Sequence, residues 1–254
     1  MMNQRYLLAS AILALANAAI VENGLWTNHD WYDEVEKVGV QNGVPYSNDP
    51  AVNRRITSPL SIDGDITDIY LQQENVQRVQ SFFSEAQWAA GFPQANPIYT
   101  YENFLKAVSK FPKFCGESNT AFNNLTVEQA CKRELAAIFA HWGQETGKRD
   151  PADGPFWTQA LYWVQEIRCN GTNDPSCDYK AYNWAADAWP NDPDEQYYGR
   201  GPMQLSWNYN YGQFSNIFAP SSYNSKLYLL ENPDLVHEDG ALAMMAGIWF
   251  YMTP

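Results

Sequence analysis

The sequence predicts a mainly α-helical domain over residues 74–254, because apolar side chains recur at helical spacing in several stretches. A stripe with this period buries one face of a helix against a core. Near the end of the chain, residues 242–252 are apolar almost throughout and predict a further helix. The apolar positions of the first two stretches are Val76, Val79, Phe82, Phe83, Trp88, Phe104, Leu105, Val108 and Phe111.

A longer helix is predicted to begin at Thr126, since Thr126 and Gln129 have the spacing of a capping box. Gly147 is placed to end this helix. Glu145 continues its apolar stripe, so we expect the Glu145 carboxyl group to lie among buried side chains. The stripe itself consists of Cys131, Leu135, Ile138, Phe139 and Trp142.

A small β-hairpin region is predicted beside the helices. Residues 161–167 are aromatic and β-branched, which favours a strand or hairpin. Asp63-Gly64 indicates a second small hairpin, with a calcium loop as the alternative, although the full EF-hand spacing is absent. Residues 170–196 are rich in Asn, Asp and Pro and are predicted to form loops.

The first 18 residues have the pattern of a secretory signal peptide, with a basic start, a short apolar run and cleavage after Ala18. The run is too short to span a bilayer. Residues 19–73 are predicted to be an N-terminal extension of unknown role. The net charge of −13 disfavours nucleic acid and anionic membranes as partners. Because of the signal peptide, we expect a secreted protein, extracellular or periplasmic.

The four cysteines are expected to form two disulfide bonds, because export places them in an oxidising compartment. Three pairings are possible, and proximity in sequence favours Cys115 with Cys131 and Cys169 with Cys177. A zinc site is the alternative, but the chain has no CxxC motif and only three histidines.

Two carboxyl groups are candidates for catalysis. Burial of Glu145 beside Trp142, at the negative end of a helix dipole, is expected to keep it protonated, as a general acid requires. Glu166 lies in an aromatic segment, and a second carboxyl that activates water completes glycosidic cleavage. The alternatives are a solvent-facing glutamate at a helix end for Glu145 and a simple ion pair with Arg168 for Glu166.

Residues 197–212, YYGRGPMQLSWNYNYG, carry the most distinctive pattern. Two glycines and a proline fix a tight turn, and amide and hydroxyl side chains then alternate with aromatic ones. Such groups suit a neutral ligand that bears hydroxyl and acetamide groups. A structural turn before a helix is the alternative.

This run resembles the signature of glycoside hydrolase family 19 chitinases, of bacterial type. Residues 232–236 and 247–253 are similar to the family's next blocks, and the segments around Glu145 and Glu166 resemble those with its catalytic acid and base. The resemblance implies that Ser206 helps to hold the attacking water and that Cys169 pairs with Cys177. The implied substrate-contacting residues are Gln204, Tyr209, Asn210, Trp142 and Tyr198.

The resemblance also implies a lysozyme-like, bilobal α-helical domain that inverts the anomeric carbon of chitin or of N-acetylglucosamine oligomers without metal or organic cofactor. The family often has other residues where Gln144 and Gly147 stand here. No segment of this sequence resembles the family's further C-terminal lobe. We therefore expect truncation before that lobe and an incomplete second lobe. We also expect an exposed apolar face, at Leu242, Ile248, Trp249 and Phe250. The complete protein is expected to be a monomer. The alternatives for function are a peptidoglycan hydrolase and a chitin lectin that only binds.

Overall fold

The structure, a computed structural model, describes residues 70–117, 125–182, 186–187, 189–215 and 228–253. Helices dominate these ranges, and no strand forms within them, where only isolated bridges join residues. The mainly α-helical prediction is therefore confirmed.

Several sequence-based predictions lie outside the described residues. They concern the signal peptide at residues 1–18, nearly all of the extension at residues 19–73, and the hairpin at Asp63-Gly64. The bounds of the α-helices are α1 Glu74–Phe82, α2 Glu85–Gly91, α3 Tyr101–Lys110, α4 Val127–Thr146, α5 Asn208–Ser215, α6 Tyr228–Glu231, α7 Leu235–Glu238 and α8 Gly240–Met252. The 3₁₀ helices are Tyr70–Gln72, Pro151–Asp153, Phe156–Gln159, Ile167–Cys169 and Pro175–Cys177.

The core begins with aromatic rings from α2, α3 and α4. Trp88 stacks on Phe104 with ring centroids 5.1 Å apart, and the rings of Phe139 and Trp142 lie 5.2 Å apart. Trp142 is completely buried in this cluster. Burial of large rings dominates the energetics of a core, so this cluster fixes the position of the C-terminal end of α4.

The α8 helix is apolar on all sides and packs against both α3 and α7. Leu242, Ile248 and Trp249 are at most 2% exposed, whereas Phe250 is 37% exposed. The predicted exposed apolar face is therefore wrong at these three positions. A helix that is hydrophobic all round is stable only when neighbouring elements cover it, as α3 and α7 do here.

The long helix α4 follows the prediction at its beginning. The Thr126 side chain accepts from the backbone N–H of Gln129, and the Gln129 side chain accepts from that of Thr126, so the capping box is confirmed. The helix ends at Thr146, with Gly147 as its C-cap. Both disulfide bonds also form as predicted, Cys115 with Cys131 and Cys169 with Cys177.

The predicted strand at residues 161–167 is wrong. The segment makes one isolated bridge, between Gln165 and Arg200, because its backbone groups bond to different partners in succession. The N–H groups of Tyr162 and Trp163 both donate to the carbonyl oxygen of Thr146, at 3.2 and 3.0 Å. No neighbouring strand is present in the described residues to continue a ladder.

Candidate active site

The turn at residues 199–206 closes on itself through two backbone hydrogen bonds. Arg200 N–H donates to the Leu205 carbonyl oxygen at 3.2 Å, and Leu205 N–H donates back at 2.8 Å. Gly201 has φ of +74°, which favours glycine. A Cβ atom on Gly199 would lie 2.7 Å from Gln204 Oε1. Backbone conformation therefore favours glycine at position 201, and a side chain at position 199 would displace that of Gln204.

Arg200 holds this turn from beneath. Its guanidinium is 2% exposed and lies 3.8 Å from the centre of the Tyr198 ring. Arg200 Nη2 donates to Asp234 Oδ1 at 2.6 Å, and Nη1 donates to Tyr211 Oη at 3.0 Å. A buried charge needs such partners, so Arg200 and Asp234 fix the turn against α7. Sequence reasoning missed this pair, although both residues stand in the blocks that it singled out.

The structure brings together four of the predicted site residues on this turn and the first turn of α5. Gln204, Ser206, Tyr209 and Asn210 are all partly exposed. Ser206 Oγ donates to the Gln204 carbonyl oxygen at 2.9 Å, and Asn210 Nδ2 donates to the Ser206 carbonyl oxygen at 2.8 Å. These hydrogen bonds hold hydroxyl and amide side chains at the surface, beside the exposed ring of Trp207.

Glu166 lies beside the same turn. Its backbone N–H donates to the Gly199 carbonyl oxygen at 2.8 Å, and Gly201 N–H donates to that of Val164 at 2.8 Å. These two bonds align residues 164–166 antiparallel to residues 199–201. The backbone thus places one candidate carboxyl group next to the polar turn.

The Glu166 carboxyl group has a donor on each oxygen. Arg168 Nε donates to Oε1 at 2.5 Å, and Tyr179 Oη donates to Oε2 at 3.0 Å. The hydrogen bond to Glu166 raises the pKa of Arg168 above its ordinary value. The pairing with Arg168 was foreseen as the alternative interpretation of Glu166, whereas Tyr179 was missed. Each carboxylate oxygen has two lone pairs, so these donors orient the group and leave room for a water.

Glu145 stands on the last turn of α4 and is exposed to solvent. The prediction that its carboxyl group is buried is wrong. The buried position after Trp142 is Thr146, four residues on, whose Oγ1 donates to the Trp142 carbonyl oxygen at 2.5 Å and accepts from Leu161 N–H at 2.9 Å. Packing against Leu161 therefore turns Thr146 inward and Glu145 outward.

Two of the residues predicted to contact substrate, Trp142 and Tyr198, are buried, and this burial argues against the predicted contacts. Trp142 is completely buried in the aromatic core, so it has no surface for a ligand. Tyr198 is 6% exposed, its ring lies under Arg200, and its hydroxyl donates to Gln165 Oε1 at 3.1 Å. Both rings support the elements that carry the site.

The fold and the site together define a mainly α-helical domain in which Glu166 lies beside a turn rich in amides and aromatic rings, while Glu145 lies on the last turn of α4. Residues 84–254 match the family model described as Chitinase class I, and the chain belongs to this family, glycoside hydrolase family 19. The crystal structure of a family 19, class IV chitinase from Zea mays aligns with a TM-score of 0.50 and 28% identity. The alignment covers 69% of this chain and 72% of that one, which supports a lysozyme-like helical fold.

Similar sequences are found among plant proteins. Basic endochitinase B of Arabidopsis thaliana is 31% identical over 263 residues, which cover 98% of this chain and 67% of that protein. Endochitinase CH25 of Brassica napus is 36% identical, with 63% of this chain and 42% of that protein covered. Inactive chitinase-like protein 1 of Hevea brasiliensis is 37% identical, with 63% and 44% covered. The chain thus spans less than half the length of the latter two relatives.

Proposed function

We propose that this protein hydrolyses the β-1,4 linkages between N-acetylglucosamine units of chitin by an inverting acid and base mechanism. The observation that carries the proposal is the antiparallel pairing of residues 164–166 with residues 199–201, because it sets Glu166 beside the hydroxyl and amide groups of the turn. Thr146, which follows Glu145, accepts hydrogen bonds from the backbone N–H groups of residues 161–163, which lead into the segment that carries Glu166. Backbone hydrogen bonds therefore connect the elements that carry both carboxyl groups.

In this mechanism Glu145 is the general acid and Glu166 the general base. The Glu145 carboxyl donates its proton to the glycosidic oxygen as the bond to the anomeric carbon breaks. Glu166 takes a proton from a water molecule, whose oxygen attacks the same carbon from the opposite face. Solvent then returns the proton to Glu145 and removes the one on Glu166. An exposed position at a helix end gives Glu145 access to both a polymer and solvent.

The neighbouring polar groups serve to position water and substrate. Ser206 is proposed to orient the attacking water, and Gln204, Tyr209 and Asn210 to contact sugar hydroxyl and acetamide groups. Tyr209 lies nearly parallel to Trp207, with interplanar angle 22° and ring centroids 6.1 Å apart. An exposed aromatic surface of this kind suits the apolar face of a sugar ring.

Secretion is part of the proposal. Two disulfide bonds form in the structure, as is usual in an oxidising compartment. Within the described ranges, no helix is both long and apolar enough to cross a membrane. The bacterial type inferred from the signature remains a prediction.

The proposal is tested by release of soluble sugar from chitin. Glu145→Gln removes the proton donor with little change of shape, so turnover is expected to fall by about 10² or more while chitin-oligomer binding persists. Glu166→Gln is expected to slow turnover through loss of water activation, and Ser206→Ala by less. Glu128→Gln is the matched control, because Glu128 is an exposed glutamate on the same helix, paired with Lys132.

Two results would contradict the mechanism. One is normal turnover by Glu145→Gln. The other is a crystal structure with an oligomer in which the carboxyl groups are not separated by the roughly 6.5 to 9.5 Å that an inverting enzyme needs.

A protein that binds chitin without cleaving it is the second candidate function, and the inactive relative from Hevea brasiliensis favours it. Binding of insoluble chitin by the wild type without any sugar release would support this candidate.

A further inference from the structure

A groove of about 480 Å³ lies beside the segment that carries Glu166, within the usual size range of ligand sites. Its walls are the loop after α2 and one side of residues 162–165, and neither candidate carboxyl group lines it. The proposed mechanism therefore leaves this groove without a role. Its lining residues are Gln94, Ala95, Asn96, Pro97, Tyr162, Trp163, Val164, Gln165, Ile167 and Asn170.

The chemistry of the groove is neutral. None of its lining residues is charged, although the chain as a whole carries a net charge of −13. Four of them have amide side chains, and two have aromatic rings. This composition disfavours an ionic ligand and suits one that carries hydroxyl and amide groups on an apolar frame.

Existing hydrogen bonds determine which amide atoms remain for a ligand. Gln165 Oε1 accepts from Tyr198 Oη at 3.1 Å, and Asn96 Oδ1 accepts from Ile98 N–H at 3.2 Å. The side-chain NH₂ groups of Gln165 and Asn96 thus remain as donors. Gln94 Nε2 donates to the Asp153 carbonyl oxygen at 3.1 Å, which leaves Gln94 Oε1 as an acceptor. Donors and an acceptor together match an acetamide group.

The groove wall is held in place by the core. Tyr162 and Trp163 meet edge to face, with ring centroids 4.7 Å apart. The Trp163 carbonyl oxygen accepts from Tyr99 Oη at 3.3 Å, and Asn96 N–H donates to the Leu161 carbonyl oxygen at 2.8 Å. These bonds join the two walls, so little ordering is needed when a ligand binds.

We propose that this groove is a second binding site for oligomers of N-acetylglucosamine, separate from the carboxyl groups. The ring of Trp163 would take the apolar face of one sugar, and the amides of Asn96, Gln165 and Gln94 its acetamide and hydroxyl groups. This inference rests on the proposed substrate. A site of this kind would hold a chitin chain while the neighbouring segment acts on it.

Asn170, at the rim of the groove, begins the sequon Asn170-Gly171-Thr172 and is exposed. A glycan attached there would begin with N-acetylglucosamine, the same ligand chemistry from a different source. Protein from a bacterial host without N-glycosylation isolates the effect of added oligomer. Protein from a secretory eukaryotic host, with Asn170→Gln from the same host as its control, reports on an attached glycan.

The test uses the full chain with Glu145→Gln, so that oligomers are not cleaved, and titrates it with the N-acetylglucosamine hexamer by calorimetry. Trp163→Ala is expected to weaken binding about tenfold, the scale of one aromatic contact. Trp163→Phe is expected to restore part of the loss. Phe156→Ala is the matched control, because Phe156 is an exposed ring, at 55%, outside the groove. Gln94→Leu provides a second variant, at a partly exposed position, should Trp163→Ala fail to fold.

Equal hexamer binding by the Trp163→Ala, Gln94→Leu and Phe156→Ala variants would overturn the proposal. The proposal would also be overturned if the groove bound no added hexamer and only the removal of an attached Asn170 glycan had a measurable effect. Failure of the proposed function gives a different result, since wild-type protein would then release no sugar from chitin whatever the groove variants bind.

Discussion

We expect Glu134 to make the stability of the fold depend on pH. This carboxyl group lies on α4, facing the Cys115–Cys131 disulfide region, and Glu134 Oε2 accepts from Cys115 N–H at 2.8 Å. Burial disfavours its charged form and raises its pKa from 4.5 to about 7, although the hydrogen bond from Cys115 opposes the shift. Glu134→Gln keeps an acceptor for Cys115 and removes the titration.

The direction in which stability changes with pH follows from the number of protons bound by the folded and the unfolded protein. Between pH 4.5 and about 7 the folded protein holds a proton on Glu134 that the unfolded chain has released, so stability falls as pH rises through this window. Each pKa unit is worth 1.36 kcal/mol, which gives an upper bound of about 3 kcal/mol. Because Glu134 is only partly buried by its exposed area, we expect a loss of about 1 to 2 kcal/mol.

The measurement is urea unfolding of the disulfide-intact protein at pH 4.5, 6 and 8. The free energy of unfolding of the wild type, minus that of Glu134→Gln, is expected to fall by about 1 to 2 kcal/mol across this range. Contributions from other titrating groups cancel in this difference. Glu128→Gln, exposed on the same helix, is expected to keep the wild-type pH dependence. An unchanged difference between pH 4.5 and 8 would refute the reasoning.

Two further predictions concern the framework of the site. Trp142→Ala removes a completely buried ring from the aromatic core and is expected to lower the free energy of unfolding by about 3 to 5 kcal/mol, measured by urea denaturation; a loss below 1 kcal/mol would contradict its core position. Replacing Cys169 and Cys177 together by Ser opens a loop with a sequence separation of 8 and is expected to cost about 2.5 kcal/mol. It should also lower turnover, because Ser176 in that loop accepts from Arg168, the partner of Glu166; unchanged stability and turnover would count against both expectations.

Helix positions were predictable from the sequence because periodic apolar residues and local caps act over a few residues. The capping box at Thr126 and the apolar run of α8 are of this kind. The exposure of Glu145 was not predictable, since positions three and four residues after Trp142 are both compatible with one helix face. Only the contact between Thr146 and Leu161, fifteen residues apart, decides which side chain turns inward.

The same limit applies to residues 161–167 and to Trp142. An aromatic, β-branched composition favours an extended backbone but does not supply a neighbouring strand, and here the partners are a helix end and a turn. An aromatic ring near a catalytic carboxyl group suits a core as well as a cleft, and Trp142 belongs to the core. Tyr179 was missed because it lies 13 residues from Glu166 with no periodicity to connect them.

The elements of the candidate site are joined largely through backbone atoms, and this bears on the choice between cleavage and binding alone. Thr146, Val164 and Gly199 each offer a carbonyl oxygen to the next element. Such bonds place few demands on side chains, so the frame can persist in a family member that has lost its activity, and fold does not determine function. Whether a family member has kept a catalytic role must therefore be judged from the side chains that these elements carry. Here both carboxyl groups are present, and Glu166 is oriented by donors on both oxygens, an arrangement that binding of a neutral polymer does not require.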